Sequence, residues 1–220
     1  MTPTADTDTN TRQKLIVTAM RLFAEQGVGA VSMRTINSES GTKNSGAAHY
    51  YFGNKQGIIS AIVEYITMMS EKHLTESNLL VVKKAVANQS MSLQEILRES
   101  LLPTLKLPKQ FPWGQHAIKF MSRLMLEEDP QIQEILNLHS KPGLAQLLDI
   151  LTAALPTVAK NILKLRLMFV MANVIHGIAE MNNLKNTPLG RLTFSVADLI
   201  EHLLDYLEAG LAAPISVYKK

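Results

Sequence analysis

The chain has 220 residues, 46% apolar and 19% charged, enough core material for a ~55-residue domain beside a ~150-residue one and too apolar for general disorder. It contains no cysteine, which excludes a disulfide framework and thiolate metal sites and agrees with a cytoplasmic location. The net charge is only +3, yet within residues 11–55 Arg12, Lys14, Arg21, Arg34, Lys43 and Lys55 face only Glu25 and Glu39, a local excess of +4 that suits a polyanion.

Residues 1–9 are rich in Thr and Asp and read as a flexible arm; they lack the basic start and apolar run of a secretory signal. Asn10 with Gln13 resembles a capping box, so the spacing predicts a first helix from about Thr11. Its apolar face is Leu15, Ile16, Ala19, Leu22 and Phe23, and Gly27 with Gly29 ends it. Ser32 is an N-cap for a second helix, Met33–Ser40, closed by Gly41.

Asn44 can cap a third helix, about Ser45–Tyr51. Its early residues, Ser45, Gly46, Ala47 and Ala48, are small, and small side chains let a helix axis approach base edges. His49, Tyr50 and Tyr51 then offer polar tips to phosphates, while Phe52 packs inward. Asn54 caps a fourth helix with the stripe Ile58, Ile59, Ile62, Val63, Ile66 and Met69. Its first amides, together with Lys55, form a phosphate clamp. Short helices joined by tight turns over residues 10–56 read as a helix-turn-helix head for double-stranded DNA.

Residues 57–215 read as a helical body. Ser92 caps Leu93–Leu102, and Pro103, Pro108 and Pro112 predict a connector or broken helix over 103–113. Helices follow over Trp113–Glu128, Asp129–Ser140 and Leu144–Leu155, with Pro142 and Gly143 as a perturbation. Lys160–Asn182 is apolar on nearly all sides and predicts a buried helix. No run of ~20 uncharged apolar residues crosses a membrane; Lys164, Arg166 and His176 interrupt the longest candidate, Leu163–Ile178. Asn183–Gly190 reads as a turn and Leu192–Leu211 as an amphipathic last helix. No strand pattern occurs, so the expected fold class is all-α.

The stretch TRQKLIVTAMRLFAEQGVGAVSMRTINSESG…AHYYFGNKQGIISAI resembles the N-terminal module of the tetracycline-repressor (TetR) family of transcriptional regulators. Arg12, Ala19 with Leu22 and Phe23, Glu25 and Gly27, Ile36, Gly41, and Tyr50-Tyr51-Phe52 with Lys55 carry the likeness, over about a quarter of the chain. Between Gly41 and Phe52 there is one residue more than the family's commonest spacing, and Ser38 and Ser40 replace the usual alanines. The resemblance implies that Arg34 reaches a base or phosphate, that Lys43 and Asn44 bind DNA, that Ser45, Gly46, Ala47 and His49 face the groove, and that Tyr50, Tyr51 and Lys55 hold the backbone. Each residue also has an ordinary use, Arg34 as a solvated cation, Ser45 as a cap and the tyrosines as core.

The resemblance further implies a homodimer through the last two helices, with Leu192, Val196, Leu199, Ile200, Leu203 and Leu207 as interface candidates. It also implies an effector pocket in the body. Candidate lining is Trp113, His116, Phe120, Met121, Met125, Met168, Met171, Asn173 and His176, since methionine adapts to a small hydrophobic effector; the same stripe would serve equally as core. The expected function is a dimeric, ligand-released repressor of a palindromic operator. Two rivals are a helical adaptor that has lost DNA binding and a small all-α enzyme. For the enzyme the sequence offers neither a nucleophile elbow nor a phosphate loop, and no metal-ligand or cofactor motif.

Overall fold

In a computed structural model the chain forms ten helices and one small hairpin, described over residues 5–73, 76–88, 90–181, 183 and 186–214. The helices are α1 (Ala5–Gln26), α2 (Met33–Glu39), α3 (Ala47–Phe52), α4 (Lys55–His73), α5 (Glu76–Ala87), α6 (Leu93–Gln110), α7 (Gly114–Leu124), α8 (Pro130–Ala154), α9 (Lys160–Ala179) and α10 (Val196–Ala212). Antiparallel β1 (Asn186–Thr187) and β2 (Gly190–Arg191) form a minimal hairpin within the expected turn. The fold is all-α. The chain divides into two compact units, one running to Ser70 and including Leu107–Ser140, the other holding Glu71–Lys106 and the chain from Lys141.

Local rules account for the helix ends in the first unit. Ser32 Oγ accepts from the Thr35 amide at 3.0 Å, and Asn54 Oδ1 accepts from the Gly57 amide at 2.8 Å, so both expected N-caps form. The chain leaves α1 through Gly27 and α2 through Gly41, both at positive φ, where a Cβ would strain the backbone. α1 differs from expectation: it begins at Ala5, so part of the supposed arm is helical, while residues 1–4 lie outside the described residues. Gln13 is not a capping partner; its Nε2 donates to Tyr65 Oη at 2.9 Å and ties α1 to α4.

The first unit's core joins Leu15, Ile16, Ala19 and Phe23 of α1 to Ile58 and Ile62 of α4 and to Ala117, Phe120 and Leu124 of α7, all buried. α7 lies along α1, with Phe120 stacked on Phe23 at 6.0 Å between ring centroids. This unit is therefore larger than residues 10–56, because α7 completes the hydrophobic core.

In the second unit Val82, Ile96 and Ile150 form one buried cluster, and the inner faces of α9 (Leu163, Leu167, Val170, Val174) and α10 (Leu204, Leu207, Leu211) are buried as well. α6 runs unbroken through Pro103 and Pro108, against the expected connector. A proline inside a helix costs about 3 kcal/mol. Burying Leu101, Leu105 and Leu107 on the same stretch offsets that at roughly 1.5–3 kcal/mol each. α8 likewise continues through Pro142. Capping boxes start α6 (Ser92 with Glu95) and α10 (Ser195 with Asp198), and the hydrogen bonds from each serine hold Glu95 and Asp198 below their ordinary carboxyl range.

α9 is long and apolar enough to cross a membrane by length and composition, with a mean hydropathy of 1.6. Its inner face packs instead within the second unit, where Arg166 Nη1 donates to the Leu211 carbonyl of α10 at 2.6 Å.

Candidate nucleic-acid interface

α3 has six residues, and its sequence divides them by face. Ala47 and Ala48 are buried against the head, whereas His49 and Tyr50 are exposed, Tyr50 at 77%. Around them Arg34 on α2 and Lys43, Asn44, Ser45 and Gly46 in the turn are also exposed. Neither Arg34 nor Lys43 has an ion-pair partner among the described residues, so both charges remain available to phosphates or bases. The aromatic run continues inward, with Tyr50 edge-on to Tyr51 at 5.1 Å and the Arg12 guanidinium 5.6 Å from the centroid of Phe52.

One expected site residue is corrected, and another has a partner the sequence did not suggest. Ala47, expected at the groove, is 2% exposed and belongs to the core; its smallness lets α3 approach α2 and not DNA. Lys55, expected as a phosphate clamp, donates from Nζ to the Val28 carbonyl at 2.9 Å and holds the α1–α2 connection to the start of α4. An ammonium carries three donors, so this bond uses one and fixes where the others point.

Asn37 was not singled out by the sequence patterns, and it sets the geometry of the whole turn. It lies on α2 at 5% exposure, a polar side chain among core residues. Its Nδ2 donates to the Asn44 carbonyl at 2.7 Å, and its Oδ1 accepts from the Ala48 amide at 2.9 Å. One amide thus bridges the two ends of the turn that delivers α3. Its own carbonyl accepts from Ser40 Oγ at 2.8 Å and Thr42 Oγ1 at 3.3 Å, and Asn44 Oδ1 accepts from the Gly46 amide at 2.9 Å. The longer turn and the serine in place of alanine are therefore parts of one polar network. A polar residue amid the apolar positions Met33 and Ile36, followed by a Ser/Thr/Asn-rich turn, was the available signal.

Replacing Asn37 with Ala strands the Ala48 amide, at about 1–3 kcal/mol, and takes one donor from the Asn44 carbonyl, which keeps the Ala47 amide at 3.2 Å. We expect a lower melting temperature, and a ratio of specific to non-specific DNA affinity that falls by at least about tenfold. Thermal melting with mobility shifts on operator and unrelated DNA measures both; an unchanged ratio removes Asn37 from the positioning role.

Similarity to known proteins decides the class. The family model described as "Bacterial regulatory proteins, tetR family" matches residues 15–62, and that described as "Tetracyclin repressor-like, C-terminal domain" matches residues 100–210, half of the chain. The chain belongs to the TetR family. Solved structures of similar fold include Salmonella enterica GusR, with a TM-score of 0.61, 20% identity and coverage of 95% of this chain and 97% of that one. The fatty acid degradation regulator FadR from Bacillus halodurans aligns with a TM-score of 0.62 at 13% identity, covering 91% and 96%. A transcriptional regulator from Saccharomonospora viridis, solved in complex with choline, gives 0.59 at 17% identity over 91% and 96%. No curated protein matches the sequence.

Members of the TetR family are DNA-binding transcriptional regulators with a helix-turn-helix head and a ligand-binding C-terminal domain, and they act as dimers. In this TetR protein five of the expected effector residues belong to the first unit and four to the second. Trp113, buried between Phe111 (4.5 Å) and Tyr65 (5.2 Å), and Phe120, stacked on Phe23, are core of the first unit. His116 Nε2 lies 3.5 Å from Glu25 Oε1 on α1, so it too serves the α1–α7 contact. Met121 on α7, Met125 at its C-cap, and Met171 and His176 on α9 are half-buried. Met168 and Asn173 lie on the exposed face of α9, and Asn173 lines a depression of about 110 Å³ with Arg166, Phe169, Tyr206 and Gly210.

Of the expected dimer residues, Leu207 is 3% exposed and packs inside its own chain, while Leu192, Val196, Leu199, Ile200 and Leu203 are half-buried. On α9 and α10 themselves, large exposed apolar side chains are Leu165, Met168, Phe169 and Tyr206. α9 is therefore buried on one side only, against the expectation for an all-round apolar helix.

Proposed function

We propose that the chain is a repressor that binds a two-fold symmetric operator as a homodimer and is released by a small, largely apolar effector. The observation that carries the DNA half is the exposed group Arg34, Lys43, Asn44, Ser45, His49 and Tyr50, on a turn and helix held in place by the buried Asn37. Six residues of recognition helix read only a few base pairs, so two copies are needed for a useful site. The exposed apolar group on α9 and α10 supports the pairing, since monomers rarely leave such side chains together in water.

For the effector, two buried polar atoms, Ser100 Oγ and Gln115 Nε2, have no hydrogen-bond partner among the described residues, and each supports a ligand with an oxygen to offer. FadR is named for fatty acid degradation and the Saccharomonospora regulator was solved with choline, so amphipathic molecules of that size are the first to test.

A nuclease footprint on the DNA flanking its own gene is expected to show two protected half-sites about one helical turn, ~34 Å, apart. Mass spectrometry of the native protein should identify the co-purified molecule, which, added back, should abolish the footprint. Protection no stronger than on unrelated DNA would overturn the operator reading, and a footprint indifferent to that molecule would overturn the release mechanism.

A further inference from the structure

The geometry points to His49 as a residue that reads an amino-bearing base, accepting a hydrogen bond from the exocyclic amine of an adenine or a cytosine in the major groove. This rests on the proposal that α3 is the recognition helix. His49 is exposed on α3, and its Nδ1 lies 3.0 Å from the carbonyl oxygen of Gly53, the C-cap of the same helix. A carbonyl oxygen only accepts, so the Nδ1 position carries the proton in that bond. In the neutral imidazole the other nitrogen, Nε2, then has a lone pair and no hydrogen. The bond fixes both the ring's orientation and its hydrogen-bonding sense, and Nε2 has no partner among the described residues.

The major-groove edges turn that sense into a preference. Adenine offers an N6 amine and cytosine an N4 amine, whereas guanine presents acceptors only and thymine an acceptor and a methyl group. An acceptor held at His49 therefore favours A or C and finds no donor on G or T of the strand it faces. Its cationic and hydroxyl neighbours hold no fixed acceptor. Arg34 and Lys43 only donate, and the hydroxyls of Ser45 and Tyr50 rotate to do either.

Site selection from a random duplex pool with the full-length protein and with His49→Ala tests the assignment. Each enriched adenine is then replaced by purine, which lacks the N6 amine, and each enriched cytosine by 2-pyrimidinone, which lacks the N4 amine. For the wild type, one such replacement should weaken binding about tenfold, within the range of a good base contact. For His49→Ala the same replacement should have no further effect. The position at which the two losses coincide identifies the base as adenine or cytosine. The salt slope should be the same for both proteins, because phosphate contacts set it. An enriched site at which every amine matters equally to wild type and His49→Ala overturns the inference alone. A pool with no enriched site overturns it together with the operator reading.

Discussion

Replacing Phe169 with Asp is expected to leave the protein monomeric and to remove high-affinity operator binding. Phe169 is 59% exposed on α9, beside Met168 at 46% and Leu165 at 52%, with Tyr206 of α10 at 64% across a shallow depression. In a two-fold pairing each side chain counts twice. Burying two phenylalanines contributes about 4 kcal/mol, so the dissociation constant of the dimer should rise at least about a thousandfold. An aspartate at the same place adds the cost of a desolvated, unpaired carboxylate. The substituted position is on the surface of the single chain, so the monomer should keep its fold and helix content. Sedimentation velocity across a concentration series is the measurement, with mobility shifts on the operator in parallel. A variant that still sediments as a dimer would show that the copies meet through some other face.

Gly57→Ala should do the opposite, sparing the dimer and disabling the head. An added Cβ at this position would sit 2.0 Å from the carbonyl oxygen of Phe52, far inside contact distance, and that oxygen belongs to the backbone at the end of α3. The junction of α3 and α4 must open, which moves the helix that carries His49 and Tyr50. Such overpacking costs about 1–3 kcal/mol and occasionally more, and here the strain cannot be relieved by rotating a side chain. DNA affinity should fall to the non-specific level while the sedimentation coefficient stays that of the wild-type protein. Retention of operator binding by Gly57→Ala would mean that α3 need not hold its present pose.

The head was legible because its signals are local. Ser32, Gly41 and Asn54 act on residues three or four positions away, so their type and spacing suffice to place a helix end. Asn37 was not legible from apolar periodicity, which treats a polar residue on an inner face as noise; its role depends on the Asn44 carbonyl and the Ala48 amide arriving from the next turn. The contacts of Lys55 and Phe120 were not legible for a related reason. Their partners, Val28 and Phe23, are distant in sequence, and nothing about a lysine or a phenylalanine announces which long-range neighbour it will meet. The prolines of α6 misled because the backbone penalty is visible in sequence, whereas the burial of Leu101, Leu105 and Leu107 that outweighs it is not. For α9, composition predicts an apolar environment on every side without saying whether the same chain provides it.

The bridge made by Asn37 also bears on how such a protein could acquire a new target. Backbone position around residues 44–48 is held from beneath by one amide, and the outward-pointing side chains of Lys43, Ser45 and His49 take no part in those two bonds. They are free to be exchanged, singly or together, while the scaffold beneath them keeps its shape. Libraries varied at those three positions should therefore yield folded regulators with altered DNA preferences far more often than libraries that also vary residue 37.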